Sequence, residues 1–459
     1  MIRMRNITIL KGIRMKTLPA VLAAAMILPL AVCVDDASAQ NNPSDPEIIL
    51  PENPYLTYRK PREWEVRQTV YLLVPQTVRL GPESQIELGY APEDDIFPSK
   101  FQFVFPIMKL SGSGWSTDEK VHGTISLNSQ PEEMNYTIQY VPGTNAPYAV
   151  WDLNFRLPTT TIRFENRATI VAVDTVFDEQ KASQLGWPTD WPDEPSRFLT
   201  PIIDPIGYRI DFWTNGPVPD PDPGIIKDLV EQWTEGNDPK SIPPVTLAKY
   251  LTAKVIGHIK SNDRSLVSTD DSTFRRSLTS NVGPGNHFDT SFTGFYAGFA
   301  VRDAEQTARE RRGSGHDMTL LLTSVFRAAG LPARSVIGVD DEGSGTDRAR
   351  SWTEFALYDS DLDLTVWIPV EIDQLRRRGA STANYKQPWK FFGTHDELHA
   401  IAPVSFYFHP PAAYQSFQVP ALYGIRSDAE LPYFAEQIIT FGINRKPVRG
   451  GQQPDKGTP

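Results

Sequence analysis

Residues Arg311–Arg334 read RRGSGHDMTLLLTSVFRAAGLPAR, and this stretch decides the fold. Apolar side chains recur every three or four positions from Met318 to Ala329, which is the spacing of one face of an α-helix. Ser314 lies three residues before Asp317, so the pair predicts a capping box at the helix N-terminus. A glycine and a proline follow the apolar stripe and end the helix. Because the stripe is so complete, we expect this helix to be buried in the core.

Helices precede this stretch and strands follow it. The first predicted helix has an apolar face of Ile226, Leu229, Val230 and Trp233, and the second has Leu247, Ala248, Leu251, Val255 and Ile259. Three β-rich runs come after the central helix: ARSVIGV, SWTEFALY and VWIPVEI. Helices that are followed by strands, without βαβ alternation, predict an α+β domain.

The N-terminal half has a different pattern. Six short β-rich runs lie between residues 65 and 177, and proline, glycine and asparagine residues separate them. This pattern predicts a β-sandwich. We therefore predict five segments: a signal peptide at 1–39, an extended leader at 40–64, a β-rich domain at 65–215, an α+β domain at 222–440 with its core at 304–373, and a disordered tail at 441–459.

The first 39 residues have the three-part form of a secretory signal. Five basic residues precede an apolar stretch from Leu18 to Val34, and Ala37-Ser38-Ala39 forms the expected cleavage site. The compact signal that begins at Met15 leaves open whether Met1 or Met15 is the start. We expect a periplasmic or secreted protein; a lipoprotein anchored at Cys33 is the less favoured alternative, because Val32 is bulky.

Charge and cysteine content restrict the function. Cleavage after Ala39 would change the net charge from −11 to −14, which argues against nucleic acid or an anionic membrane surface as the main partner. Cys33 is the only cysteine and lies in the predicted signal. We therefore expect no disulfide, no thiolate metal site and no cysteine nucleophile in the mature chain.

The run from Ala304 to Asp373 resembles the transglutaminase-like superfamily of papain-type folds. The resemblance is carried by RAAGLPARSVIGV, by the strand with Trp352 and by VWIPVE, in matching order and spacing, and it covers about 70 of the 459 residues. Members place a cysteine at the N-terminus of a buried helix, a histidine two residues before a tryptophan, and an aspartate at the end of the following strand. The helix lowers the thiol pKa, the histidine takes the proton and the carboxylate orients the imidazole.

Position by position, the family's three catalytic residues fall on Gly315, Arg350 and Glu371, and all three differ from the family pattern. Glycine has no nucleophile, and an arginine cannot accept a proton at neutral pH. If the two following strands form a hairpin around the loop DSDL, Arg350 lies opposite Glu371, and Trp352 lies opposite Pro369. We therefore predict an ion pair between Arg350 and Glu371 that replaces the family's histidine and aspartate.

Several residues have two interpretations. Ser314, with His316 and Asp317 beside it, suggests a serine nucleophile, but the capping box explains Ser314 and Asp317 better. His395 and His399 would lie one turn apart on a helix and could bind a metal, but no third ligand is evident, so a solvated or packed pair is the preferred interpretation. The acidic run of Asp359, Asp361 and Asp363 departs from a calcium loop and favours a hairpin loop.

The preferred interpretation is an exported transglutaminase-like protein that has lost its catalytic residues. Trp352 and Trp367 are expected in the core rather than in a binding platform. The inherited cleft would bind a peptide, a protein segment or a cell-wall fragment, with no cofactor and no metal. The alternative is a peptidase or amidase of the same superfamily that uses a group other than cysteine.

Overall fold

The structure is a computed structural model of the full chain. It describes residues 48, 50–73, 77–81, 84–87, 101–117, 122–127, 130–140, 147–153, 161–199, 210–211, 216–217, 224–262, 304–340, 349–406, 422, 424–427 and 434–442. Residues from Glu47 onward form one compact unit. The predicted signal peptide and most of the predicted tail lie outside the described residues.

The described part of the chain has seven α-helices. They are α1 (Glu179–Ala182), α2 (Asp193–Ser196), α3 (Gly224–Trp233), α4 (Pro244–His258), α5 (Ala304–Glu310), α6 (Gly315–Ala328) and α7 (Ile372–Arg377). Three of these seven, α3, α4 and α6, are the ones that the apolar spacing predicts. The predicted apolar faces of α3, α4 and α6 are buried in one shared core. Among the described residues, no helix is long and apolar enough to span a membrane.

Strands β1 to β11 lie in the N-terminal half. They are β1 (Leu56–Leu73), β2 (Thr77–Gly81), β3 (Ser84–Glu87), β4 (Phe101–Pro106), β5 (Leu110–Ser111), β6 (Gly114–Ser116), β7 (His122–Leu127), β8 (Gln130–Met134), β9 (Thr137–Tyr140), β10 (Pro147–Leu153) and β11 (Thr161–Phe177). β1 begins inside the segment predicted to be an extended leader, because Tyr55 and Leu56 are buried there. A register shift between Arg59 and Arg62 accommodates Pro61 within this strand.

The later strands follow the helices or lie between them. They are β12 (Ile210–Asp211), β13 (Gly216–Pro217), β14 (Ser261–Asn262), β15 (Arg312–Gly313), β16 (Ala333–Asp340), β17 (Ala349–Asp359), β18 (Leu364–Val370), β19 (Ile401–Ser405), β20 (Gly424–Ser427) and β21 (Phe434–Gly442). Together with the helices, they confirm a fold that mixes α-helix and β-sheet.

Two sheets dominate the N-terminal half, and the end of the chain contributes to both. The larger has the order β21-β1-β11-β6-β5, with β7 and β8 paired beyond β11, and the smaller has the order β20-β4-β10-β9. Phe103 and Phe105 of the smaller sheet stack on Phe164 of the larger one, with ring centroids 4.5 and 5.2 Å apart. The β-sandwich itself stays a prediction.

The chain returns to the N-terminal sheets after residue 422, where it forms β20 and β21. The sequence pattern does not predict this return, and β21 extends two residues beyond the predicted boundary at 440.

The third large sheet has the order β18-β17-β16-β19 and carries α6 on its face. Phe326 of α6 meets Phe355 of β17 edge to face, with ring centroids 5.6 Å apart. Met318, Leu321 and Val325 are fully buried. The prediction of a buried central helix is therefore confirmed.

A buried ion pair joins this sheet to the N-terminal half. Arg334 of β16 donates its Nε to Oε2 of Glu354 on β17 at 2.9 Å, and both side chains are almost completely buried. Oε1 of Glu354 accepts the backbone N–H of Gly112 at 2.8 Å, and Arg334 donates to the carbonyl of Leu110 at 3.1 Å. The guanidinium lies 3.8 Å from the ring centre of Trp367. Burial raises the pKa of Glu354, and the charge of Arg334 opposes that rise.

The hairpin of β17 and β18 has a register that differs from the prediction. Glu354, not Trp352, lies opposite Pro369. The turn covers residues 360–363 rather than the predicted 359–362. The physical reason is Asp359, whose Oδ1 accepts the backbone N–H groups of Asp361 and Leu362 and so starts the turn one residue later. The acidic run of Asp359, Asp361 and Asp363 therefore forms the hairpin loop that its sequence favours.

Candidate functional site

The N-terminus of α6 is closed by its own side chains. The Oγ of Ser314 accepts the backbone N–H of Asp317 at 3.2 Å, and Oδ2 of Asp317 accepts the N–H of Ser314 at 2.8 Å. This reciprocal pair is the predicted capping box. Ser314 and Asp317 therefore have structural roles at the helix end.

Gly315, which the resemblance predicts to be at the position of the family's nucleophile, is the first residue of α6. The side chain of Asp373 lies against it: a Cβ built on Gly315 would be 3.3 Å from both Cβ and Cγ of Asp373. The Oδ2 of Asp373 accepts a hydrogen bond from Nη2 of Arg377 at 2.5 Å, and both residues belong to α7. A carboxylate thus occupies the space beside Gly315. Asp373 does not stand out in the sequence as a site residue, although it follows Glu371 by only two residues.

Arg350 forms the predicted ion pair with Glu371, even though the predicted strand register is wrong. Its Nη2 donates to Oε1 of Glu371, which follows the last residue of β18 and is the N-cap of α7. Two further carboxylates lie near Nη1 of Arg350: Oδ2 of Asp340 at 3.5 Å and Oε2 of Glu397 at 3.6 Å. One guanidinium therefore faces three acidic side chains.

Glu371 is strongly perturbed by this position. It is 4% exposed, and its Oε2 has no hydrogen-bond partner among the described residues. Burial raises the pKa of Glu371 to about 7, and the charge of Arg350 opposes the rise. The ion pair is thus held in a place where water solvates the carboxylate poorly.

A hydroxyl and an imidazole meet next to this cluster. Nδ1 of His316, on the first turn of α6, lies 2.8 Å from Oγ of Ser351 on β17. Oγ of Ser351 also lies 3.2 Å from Oγ1 of Thr319. In the sequence, His316 stands out only beside Ser314. Its contact with Ser351 is not predictable from the sequence, because it depends on how α6 lies across β17.

The two tryptophans belong to the core, as preferred. Trp352 is fully buried, and its Nε1 donates to Oε1 of Glu354 at 3.2 Å. Trp367 is 6% exposed and lies under the guanidinium of Arg334. Neither ring forms an exposed binding platform.

His395 and His399 do not share a helix face. The backbone of His395 pairs with Thr175 of β11 in an isolated antiparallel bridge, so the chain is extended there, and only residues 398–400 form a short 3₁₀ helix. His399 contacts Oδ1 of Asp174 through Nδ1 at 2.7 Å. In the part of the chain that the structure describes, no group of three or more potential ligands is placed to hold a metal ion.

His395 predicts a pH dependence of stability. The side chain is 1% exposed, Nε2 is 3.1 Å from the carbonyl of Pro369, and burial lowers the pKa of His395 to about 4. Because the unfolded chain binds this proton near pH 6.5, the stability contributed by neutral His395 is present above that pH and is lost as the pH falls toward 4. We expect this one group to remove about 3 kcal/mol across that range.

Urea unfolding at several pH values checks this prediction, with His395→Gln as the comparison. The variant should be less stable at pH 7 and should show a flatter loss of stability from pH 6.5 to 4. Equal slopes for the two proteins would show that His395 does not control the acid sensitivity.

Comparison with known proteins supports the resemblance. Residues 296–372 match the family model described as the transglutaminase-like superfamily. No curated protein matches the chain. The similar solved structures include a provisionally assigned cysteine protease from Cytophaga hutchinsonii, which is 10% identical with a TM-score of 0.44 and covers 85% of this chain and 93% of its own.

Two further structures are more distant. The periplasmic domain of TgpA from Pseudomonas aeruginosa, bound to ethylmercury, is 12% identical with a TM-score of 0.25, over 71% of this chain and 94% of its own. A provisionally assigned protease from Parabacteroides distasonis is 8% identical with a TM-score of 0.17, over 69% of this chain and 62% of its own. The family model therefore carries the resemblance. Over residues 296–372, the chain is similar to the transglutaminase-like superfamily.

Proposed function

We propose that this protein is an exported, non-catalytic member of the superfamily that binds a peptide, a protein segment or a cell-wall fragment, or acts as a scaffold. The observation that carries the proposal is the side chain of Asp373 against Gly315, where family members place the nucleophile. The predicted signal peptide and the net charge of −11 support an exported protein that does not bind nucleic acid.

The chemistry of the remaining positions supports the same proposal. Acyl transfer by a thiol needs a nucleophile, a base that accepts its proton and a group that orients the base. Gly315 supplies no nucleophile, and Arg350 stays protonated because burial, which would lower its pKa, is outweighed by the charge of Glu371. The carboxylate of Glu371 forms an ion pair with Arg350 and has no imidazole at that position to orient. The three positions are therefore suited to holding β17, β18 and α7 together.

Assays of the purified protein test the proposal. We expect no peptidase, amidase or transamidation activity, with or without divalent metal ions. Gly315→Cys alone should also be inactive, because Arg350 cannot take the thiol proton. A second variant that combines Gly315→Cys, Arg350→His and Glu371→Asp restores all three chemical groups and serves as the positive comparison. Turnover by the unaltered protein above that of a heat-denatured control would contradict the proposal.

A ligand screen tests the binding role. Thermal shifts with peptides and soluble cell-wall fragments should show protection by one class, and Arg350→Gln should reduce that protection if the ligand contacts the cluster around Arg350. Protection by neither class would favour a purely structural role.

Sequencing of the mature N-terminus tests the predicted signal peptide. It should give Gln40 as the first residue.

The second candidate function is hydrolysis by a hydroxyl group, and the contact between His316 and Ser351 favours it. In this arrangement Nδ1 of His316 would accept the proton of Ser351 Oγ, 2.8 Å away, and the oxygen would attack an acyl carbon. His316 would return the proton to the departing amine as its bond to the acyl carbon breaks, and a water molecule would then hydrolyse the acyl ester on Ser351. Labelling by a fluorophosphonate that is abolished by Ser351→Ala, but not by Ser314→Ala, would support this candidate over the first. Absence of labelling in the unaltered protein would exclude it.

A further inference from the structure

A second candidate site lies in the N-terminal half and shares no lining residue with the cluster around Arg350. A cavity of about 90 Å³ opens beside the face that β1 and β11 share, and it reaches Val404 of β19. Val66, Met108, Ala168 and Ile170 give it a mostly apolar wall. An apolar pocket with a few polar groups is the usual form of a small-molecule site.

Asn166 is the unusual residue of this wall. Alternate residues of β11 share one face, and on this face Phe164, Ala168 and Ile170 are apolar. Asn166 falls between them, is 8% exposed and lines the cavity. Its Oδ1 is completely buried and has no hydrogen-bond partner among the described residues. Buried side-chain oxygens without partners are rare, since a folded protein gains stability by pairing or removing them.

The side-chain amide of Gln68, beside Asn166, has a hydrogen-bond partner within the protein. Gln68 lies opposite Asn166 in the pairing of β1 with β11 and also lines the cavity. The Nε2 of Gln68 donates to the backbone carbonyl of Leu422 at 2.6 Å. The fold therefore provides a partner for the side chain of Gln68 and, among the described residues, none for the Oδ1 of Asn166, whose residue lines the same cavity.

The mouth of the cavity is apolar as well. Ile138 lines it and is 42% exposed, which places it among the few large apolar side chains in the described ranges that face solvent. Tyr136, on the same wall, packs against Trp151 with ring centroids 5.3 Å apart. A ligand with one apolar ring would cover this exposed surface while its polar group reaches Asn166.

We propose that this cavity binds an apolar ring that carries one hydrogen-bond donor, either O–H or N–H, with the donor directed at Oδ1 of Asn166. The enclosed volume is smaller than the roughly 150 Å³ cavity that holds benzene in an engineered protein, so the ring fills the interior and extends into the mouth. The source is a free phenol-like molecule or the tyrosine side chain of a peptide. The two sources share the same chemistry.

Phenol and toluene form a matched pair of probes, because they have nearly the same size and only phenol has a donor. In titrations followed by ligand-observed NMR, we expect phenol to bind at least about tenfold more tightly than toluene. In Asn166→Leu the preference should disappear or reverse. Equal binding of both probes to the unaltered protein, or binding of neither, would overturn the proposal.

Thermal unfolding separates a binding role of Asn166 from a structural one. If the amide is kept for a ligand, Asn166→Leu should raise the Tm, because an unpaired buried amide is replaced by an apolar side chain of similar size. A lower Tm together with unchanged phenol binding would show that Asn166 supports the fold instead.

A second variant keeps the test independent of Asn166. Ala168→Leu fills the cavity without altering the amide, so both probes should lose affinity; unchanged phenol binding would overturn the site.

The peptides Ala-Tyr-Ala and Ala-Phe-Ala distinguish a peptide ligand from a free small molecule. A tyrosine preference that disappears in Asn166→Leu indicates a peptide ligand, whereas binding of phenol alone indicates a free small molecule.

Discussion

Glu354→Gln is expected to lower the free energy of unfolding by about 3–5 kcal/mol, because it leaves Arg334 charged and buried without its carboxylate. Arg334 is 3% exposed as a side chain and Glu354 is 0% exposed, so water does not replace the lost partner. Glu194 lies 3.5 Å from Arg334, but its side chain is 55% exposed, and such a contact is worth little. Urea unfolding monitored by tryptophan fluorescence measures the change.

A double-mutant cycle shows whether the pair acts as a unit. Arg334→Met alone should cost a similar amount, because Glu354 is then the unpaired charge. The double variant Arg334→Met with Glu354→Gln should be more stable than the sum of the single effects by at least about 2 kcal/mol. Additive effects would show that the two side chains are stabilised independently, by Gly112, Leu110 and the surrounding rings.

Gly112→Ala should cost about 3 kcal/mol or more, since the new methyl group meets backbone that cannot move aside. A Cβ at this position would lie 2.2 Å from the backbone oxygen of Trp367 and 3.3 Å from Oε1 of Glu354. The turn between β5 and β6 must therefore move away from the sheet, which breaks the hydrogen bond from Gly112 to Glu354. A Tm several degrees lower would report this loss.

Gly257→Ala is the matched control for that substitution. Gly257 lies within α4, and a Cβ there would have no neighbour within 4 Å. Since alanine is the better helix former, we expect a gain of about 0.5–1 kcal/mol. A similar loss in both variants would mean that the crowding at Gly112 is not the cause.

The sequence predicted the elements whose burial pattern is local. The helices α3, α4 and α6 follow from apolar residues at helical spacing, and the capping box of Ser314 and Asp317 follows from two residues three positions apart. The hairpin register was wrong by two residues because the side chain of Asp359 determines where the turn begins. Such a choice between adjacent turns depends on one hydrogen-bonded side chain and not on the apolar pattern.

The site was predictable only where the family pattern specifies positions. Gly315, Arg350 and Glu371 were identified in this way, and the ion pair formed because Glu371 reaches Arg350 from the end of β18. Ser351, Asp340 and Glu397 were missed because their proximity depends on the packing of separate elements. The possible pairing of His395 with His399 at a metal failed because the chain is extended at His395 and bonded to Thr175.

The pairing of β21 with β1 determines when the protein can complete its fold. Leu73 pairs with Phe434 and Glu65 with Gly442, so these contacts join residues near opposite ends of the chain. Contacts of such long sequence separation form late and slow the folding of a domain. Until β21 has been synthesised, one edge of β1 lacks its partner strand, and an open edge of this kind promotes aggregation. A chain that stops before residue 434 therefore keeps this edge of β1 open.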